Sequence, residues 1–420
     1  MSETLNKMIK VLSGWAFPSD GFNQLDGLPL IRIRDLGRAI TEVKFRGSYD
    51  QAYVVQDGDV LIGMDGDFSV KKWAGGTALL NQRVCKVQST TNELDQDFLY
   101  WYLMPHVAEI HRKTPQTTVR HLSAASLFNI VAPPISMCEQ RVAGAVLDTI
   151  DSTIRQTEAI IEKLKQVKQG LLHDLLTRGI DANGELRPPQ CRAPHLYNNS
   201  PLGWIPHGWS MLSVGQIAES IVDGPFGSNL KTEHYVELPG VRVVRLQNLD
   251  NGEYDDTDRA YVSVEKAAAL GRNEVLPGDV LVAALGDERY PVGRACSYPM
   301  WLPKAINKAD CFRLRPEENR AIGEFIVHSL NGAGARRQIK SFEQGVTLQR
   351  INIGNLRKIR LPLPTINEQM QSCEKLAAVQ HELAESMNFL VKSRRQKIGL
   401  MDDLLTGRVR VTALLGTLDA

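Results

Sequence analysis

KQGLLHDLLT, residues Lys168–Thr177, returns at Lys397–Thr406 as KIGLMDDLLT, 229 positions later. Working outward, the same offset links Thr118 with Thr347, Pro133 with Pro362, and Glu139-Gln140 with Glu368-Gln369. Further towards the N-terminus the offset shrinks in order. It is 226 between Cys85 and Cys311, 220 between GDVLIGMDGDF (from Gly58) and GDVLVAALGDE (from Gly278), and 213 between LIRIRDL (from Leu30) and VVRLQNL (from Val243). Gly-Asp turns and Leu-Leu pairs are common singly, but an ordered series of them is an internal duplication.

Each half begins with short runs rich in Val, Ile and Leu, punctuated by Gly, Asp and Pro, which is the texture of a compact mixed domain. Each then closes on a Pro-marked strand (IVAPPI, IRLPLP) followed by about forty residues without proline that read as one helix. The boundaries expected are a first globular domain over 1–138, a helix over 139–180, a second globular domain over 181–366, a helix over 367–407 and a tail over 408–420. The fold class is therefore α+β, two mixed domains separated by two long coiled-coil-like helices. A forty-residue helix spans roughly 60 Å, longer than a small domain is wide. If the second helix returns antiparallel to the first, the termini meet and the repeats are related by a pseudo-twofold axis, with the domains about 50 Å apart, a distance that follows from helix length. The apolar stripe is broad: Ile150, Ile154, Ile161, Leu164 and Leu171 on the first helix, and Leu376, Val379, Leu383, Leu390 and Leu404 on the second. A stripe this wide can hold partner helices as well as its own mate.

Lys plus Arg number 49 against 48 Asp plus Glu, so no general basic field exists and any nucleic-acid contact must be local. The six cysteines are dispersed without a C-x-x-C pair, which excludes a zinc ribbon and suits a reducing cytoplasm. No apolar run reaches membrane-spanning length, and the N-terminus lacks the core of a signal peptide. The phosphate-binding loop, dinucleotide turn, zinc-protease pair, nucleophile elbow and N-P-P-aromatic stretch are all missing. The loosely grouped His106, His111 and His121 form no ligand set, and Asp65, Asp67, Asp279 and Asp287 sit beside glycines as turn formers. No catalytic constellation and no metal site are expected.

Binding signals are stronger. SGWAFPSDGF holds Gly14, Phe17 and Ser19, and DGPFGSNLK holds Gly224, Phe226, Gly227, Ser228, Asn229 and Lys231. Glycine permits close backbone approach, and Ser, Asn and Lys reach phosphate. Beyond the paired Gly-Asp turns the loops diverge between halves, with Lys71 and Lys72 in one and Arg289, Tyr290 and Arg294 in the other, where different specificities would be written. Between 333 and 360 seven cations, including Arg336, Arg337 and Lys340, face one Glu, a local charge of +6 suited to a phosphate backbone.

The duplicated openings (Gly14, Phe17, Ser19; Gly224, Phe226, Ser228), the Gly-Asp-Val-Leu strands, the Pro endings before Glu-Gln and the helices ending in Asp-Leu-Leu-Thr together resemble the specificity subunit of type I restriction-modification systems. The resemblance covers nearly the whole chain, in the order and duplication of motifs. It implies that each domain is a target recognition domain reading one half of a bipartite site in double-stranded DNA. It further implies that the helices bind two methyltransferase subunits carrying S-adenosylmethionine, joined by restriction subunits that use ATP and Mg, with no cofactor on this chain. A structural coiled-coil adaptor whose domains bind protein or glycan is the competing reading. Only about a dozen residues precede the first Gly-x-x-Phe-x-Ser, so the first strand of domain one is expected to come from the tail, RVRVTALLGTL. If the helices set the distance between half-sites, four residues inserted between Thr177 and Arg178 lengthen the first helix by about 6 Å, one to two base pairs of DNA.

Overall fold

The computed structural model describes residues 3–38, 40–115, 120–345 and 347–411, with Ser228 described by its backbone only. The chain forms two compact units, residues 1–160 with 386–420, and residues 161–385. The first contains β1 (Ile9–Ser13), β2 (Phe22–Asn23), β3 (Leu28–Ile31), β4 (Lys44–Phe45), β5 (Val54–Val55), β6 (Val60–Gly63), β7 (Val70–Lys72), β8 (Ala78–Leu80), β9 (Val84–Ser89), α1 (Gln96–Lys113), α2 (Ala124–Phe128) and the start of α3 (Met137–Thr177). The second takes the rest of α3, a hairpin of β10 (Tyr197–Ser200) and β11 (Gly203–Pro206), then β12 (Ser210–Ser213), α4 (Val214–Ile217), β13 (Ala218–Val222), β14 (Tyr235–Val236), β15 (Val241–Val244), β16 (Tyr261–Val262), α5 (Val264–Ala269), β17 (Glu274–Val275), β18 (Val280–Ala283), β19 (Leu285–Gly286), β20 (Ala295–Ser297), β21 (Ala305–Asn307), β22 (Cys311–Pro316), α6 (Gly323–Asn331), α7 (Ala333–Phe342), β23 (Gln349–Arg350), α8 (Ile353–Lys358), β24 (Arg360–Leu363) and the start of α9 (Ile366–Leu405).

The duplication is explicit in the sheets. Strand order β1-β9-β6-β7 in the first unit is repeated as β13-β22-β18-β20 in the second, and β2-β4-β3-β8-β5 as β14-β16-β15-β21-β17. The paired Gly-Asp motifs show why the sequence persists at these places. Gly58 and Gly278 take φ of +90° and +86°, which only glycine adopts freely. The aspartate that follows closes the turn by accepting from Gln56 N (2.8 Å) or Leu276 N (2.7 Å). It then pairs across the sheet with a cation, Asp59 with Lys86 and Asp279 with Arg315.

The second shared joint is the Glu-Gln pair at the start of each long helix. Gln140 accepts from Asp95 N (2.9 Å) and donates to Glu93 O and Ile135 O; Gln369 accepts from Ile322 N (2.9 Å) and donates to Arg320 O and Pro364 O. Ser136 and Thr365 cap the helices ahead of Glu139 and Glu368, a Ser/Thr-x-x-Glu arrangement.

The helices expected over 139–180 and 367–407 run Met137–Thr177 and Ile366–Leu405, and the division between units falls inside both rather than at their ends. In the first unit Arg394 donates to Glu158 (2.6 Å) and Lys397 to Asp151; in the second Leu376 packs on Leu175 and Ile180. Each unit therefore holds its portions of α3 and α9 antiparallel. The end of α9 belongs to the first unit's core, where Leu404, Leu405 and Val411 join Phe98, Trp101 and Leu147.

The tail expected to supply the first strand of domain one is described only to Val411, and the place beside Val131 is taken by the N-terminal segment: Leu5 N donates to Ile130 O (2.8 Å), Ala132 N to Glu3 O (2.8 Å), and Thr4 bridges Val131. The second unit repeats this as Val214 N to Ile359 O (2.8 Å), with Ser213 opposite Arg360. The tail contributes elsewhere. Arg410 makes a two-pronged pair with Glu139, as Arg187 does with Glu368, so the segment after each long helix latches onto the start of the other. Residues 412–420 lie outside the described residues.

On α6, burial and the nearby Lys168 push the His328 imidazole down from 6.5 to about 4. A folded-state pKa below the unfolded value means stability is intact above pH 6.5 and falls as the pH drops from there towards 4. At 1.36 kcal/mol per unit, the second unit loses on the order of 2–3 kcal/mol between pH 7 and pH 4.5 from this group. We expect His328→Gln to remove that share of the acid sensitivity, measured as urea unfolding free energy at the two pH values; equal acid losses in parent and variant would refute it.

Candidate nucleic-acid interface

The structure separates the expected DNA-contacting residues into those that are free and those already engaged. Gly14 and Gly224 are packing glycines. A Cβ on Gly14 would stand 2.2 Å from Asn81 O, and one on Gly224 would stand 1.9 Å from the Lys308 carbonyl carbon, so the close backbone approach that glycine permits at both places is to their own domain. Phe17 is buried against Phe45 with ring centroids 4.8 Å apart. Its counterpart Phe226 is half-exposed, at the entrance to a short turn over Gly227–Asn229 in which Gly227 has φ +59°. Ser19, Asn229 and Lys231 are exposed, with Lys231 paired to Glu233 at 3.5 Å. For Ser228 the side chain lies outside the described residues.

Lys71 is exposed, whereas Lys72 is turned into the domain, where it donates to Asp97 (2.8 Å) and Asp148 (3.4 Å). With two carboxylates on one ammonium, Lys72 is corrected from a DNA contact to a tie between β7, α1 and α3. Arg336 is likewise held: its guanidinium donates to Val292 O (2.7 Å). Arg337 and Lys340 stay exposed on α7. Of the remaining cations of the +6 run, Arg357 and Lys358 on α8 and Arg360 on β24 are exposed, whereas Arg350 on β23 pairs with Asp310 (2.8 Å).

The largest correction concerns Arg294, which is 4% exposed. It donates to five backbone carbonyls, those of Leu246, Leu249, Leu285, Tyr290 and Pro291, at 2.8–3.4 Å. A guanidinium has five N–H donors and no acceptor, so a buried one satisfies them on backbone carbonyls. Arg294 therefore cannot reach a base edge, while its neighbours Arg289 and Tyr290 remain exposed on the loop it holds, Arg289 stacked over the Tyr290 ring at 5.2 Å. Sequence reading missed this difference because both arginines sit in the same divergent loop.

On the helices, Ile154, Ile161, Leu376 and Leu404 are buried within the chain, and Ile150 packs against the first unit's core. They are corrected from partner-binding to structural positions. Leu164, Leu171, Val379, Leu383 and Leu390 are half-buried. The free apolar surface is offset from that stripe, at Ile160 and Val167 on α3 and at Met387, Phe389, Val391 and Ile398 on α9, between 42% and 70% exposed. Among the described residues no group of three His, Cys, Asp or Glu is placed to hold a metal, and no helix is long and apolar enough to cross a membrane.

Comparison with known proteins agrees with the repeated architecture. The family model described as type I restriction modification DNA specificity domain matches twice, over residues 3–166 and 206–388. The specificity subunit of the type I restriction enzyme EcoBI from Escherichia coli is 28% identical over 399 residues, covering 92% of this chain and 81% of that protein. The MjaVIII specificity subunit from Methanocaldococcus jannaschii is 20% identical, with 88% and 84% covered. Among solved structures, the type I restriction-modification S subunit from M. genitalium superposes with a TM-score of 0.59 at 14% identity, over 96% of each chain, a likeness of fold. With both repeats matched, the chain belongs to the type I restriction modification DNA specificity family.

Proposed function

We propose that this chain is the non-catalytic recognition subunit of a cytoplasmic type I restriction-modification complex, in which each unit reads one half of a bipartite site in duplex DNA. The observation that carries this reading is the same two-sheet domain built twice, with different exposed loop residues on each copy. Methylation chemistry belongs to two methyltransferase subunits carrying S-adenosylmethionine, and translocation and cleavage to restriction subunits using ATP and Mg. The exposed apolar residues of α3 and α9 are the seat for the methyltransferase subunits, since unpaired apolar surface on a helix is where a partner helix gains most.

Light scattering of the copurified complex is expected to find two methyltransferase subunits per chain, and footprinting to protect two short stretches separated by an unread gap. Phe389→Glu, on an exposed position that leaves the fold intact, is expected to weaken the complex by about 2 kcal/mol or more, roughly thirty-fold, as for a central aromatic anchor. A one-to-one complex that methylates both strands fully would overturn the stoichiometry. A complex that protects no DNA would favour the adaptor reading.

A further inference from the structure

Buried Arg294 ties together the two walls of a cleft of about 650 Å3 in the second unit. On one wall it holds Leu246 O (3.0 Å) and Leu249 O (2.8 Å); on the other, Leu285 O and Tyr290 O (both 3.2 Å). The first wall is the tight turn Leu246–Asn248, locked from beneath. Asn248, fully buried, accepts from Arg245 N (2.9 Å) and donates to Asp255 O (2.9 Å) and Asp258 O (2.7 Å). The residue left at the centre of the turn, Gln247, is exposed and lines the cleft. The facing wall presents Tyr290, and its backbone is fixed by Asp287, which accepts from Arg289 N (2.9 Å) and Tyr290 N (2.7 Å).

The first unit builds the same turn at Ile33–Asp35. Asp35 is fully buried and accepts from Arg32 N (3.0 Å), in the register of Asn248 and Arg245, and the residue at the centre is the exposed Arg34. The two units thus share the turn and its buried cap, to which the second unit adds the Asn248 bonds and the Arg294 tie, and they differ in the head group displayed, arginine in one and glutamine in the other. A fixed support under a variable polar head is what base readout requires, because a mobile side chain loses discrimination to its own entropy.

We propose that this turn is the base-reading element of each recognition domain, with Gln247 pairing to the N6 and N7 edge of an adenine and Arg34 to the O6 and N7 edge of a guanine in the major groove. The inference rests on the DNA-recognition reading above and assigns the residues that carry it out. Asp250, Asp255 and Asp287 around the cleft repel phosphates and accept from exocyclic amino groups, which suits base edges rather than backbone. Arg294 is a positioning residue that acts through the turn.

The experiment is methylome sequencing of cells in which the parent chain, Gln247→Ala, Arg34→Ala or Arg294→Gln is expressed with its methyltransferase subunits. Gln247→Ala is expected to make one specified A·T pair degenerate in one half-site, losing roughly tenfold or more of discrimination there, with the other half-site unchanged. Arg34→Ala is expected to do the same at one G·C pair of the other half-site. Arg294→Gln is expected to relax the same pair as Gln247→Ala; should that variant fail to fold, the two surface variants decide alone. An unchanged motif in Gln247→Ala and Arg34→Ala, or a weakening equal at all positions with a shallower salt dependence, overturns the inference while leaving the proposed function in place. A parent chain that directs no two-part motif overturns both.

Discussion

Glu368→Ala is expected to destabilise the second unit by about 3–5 kcal/mol, the cost of stranding a buried charge partner. Glu368 is 8% exposed and holds together three segments distant in sequence. It accepts from both ends of the Arg187 guanidinium, from Ile180 N (3.0 Å) and from Trp209 Nε1 (3.2 Å). Removing the carboxylate leaves Ile180 N and Trp209 Nε1 without a partner and the Arg187 guanidinium with only its bond to Arg178 O (3.1 Å). The counterpart Glu139 loses less on the same change, about 1–2 kcal/mol, because Arg410 is 53% exposed and water replaces the lost bonds. Arg410 holds the Glu139 carboxyl below the usual carboxylate range. Since the folded-state pKa is lowered, that pair's contribution is present at neutral pH and lost only as the pH falls through and below the normal carboxylate range. Urea unfolding of the full chain, followed by tryptophan fluorescence, would measure the contrast; a Glu368→Ala variant within 1 kcal/mol of the parent would contradict it.

The second large effect concerns the distance between half-sites. Lengthening α3 alone after Thr177 fails on structural grounds, because it carries Ile180 and Arg187 past Glu368 and breaks the latch. Each unit also pins α3 against α9, through Glu158–Arg394 and Asp151–Lys397 in the first and Leu175–Leu376 in the second. The informative variant therefore inserts four helix-forming residues in both helices, after Ile160 and after Glu385, where the units divide. Four residues add about 6 Å and about 40° beyond a full turn to each helix. One or two base pairs of B-DNA add 3.4 Å and about 34° each, on a helix of about 10.5 pairs per turn. The variant is expected to methylate sites whose unread spacer is longer by one or two pairs and to lose the parental spacing, with both half-sites unchanged. Retention of the parental spacing in the methylome, or altered half-sites, would remove the helices as the ruler.

Much of this protein was legible in its sequence, and for a common reason: the features are periodic or local. A duplication shows as an ordered series of offsets, and the forty-residue helices as unbroken periodic stripes without proline. The Gly-Asp turns show because a left-handed φ at Gly58 and Gly278 demands glycine. These properties depend on neighbours within a few residues, so they survive without a tertiary context. The same sequence left Arg294 and Arg289 indistinguishable, although one is buried on five carbonyls and the other is free. That difference is made by carbonyls from Leu246–Leu249 and Leu285–Pro291 converging on one point, segments some forty residues apart. Likewise, the width of the apolar stripe did not reveal which leucines and isoleucines are used up inside the chain, because the answer depends on how α9 lies on α3. The N-terminal strand beside Val131 and the Arg410 latch on Glu139 depend on chain ends meeting segments more than a hundred residues away. Repetition and helical period belong to the chain as a line of residues, whereas the division of its polar and apolar side chains between internal ties and open surface was decided by the tertiary structure, since burial and hydrogen-bond partners arise only where distant segments converge.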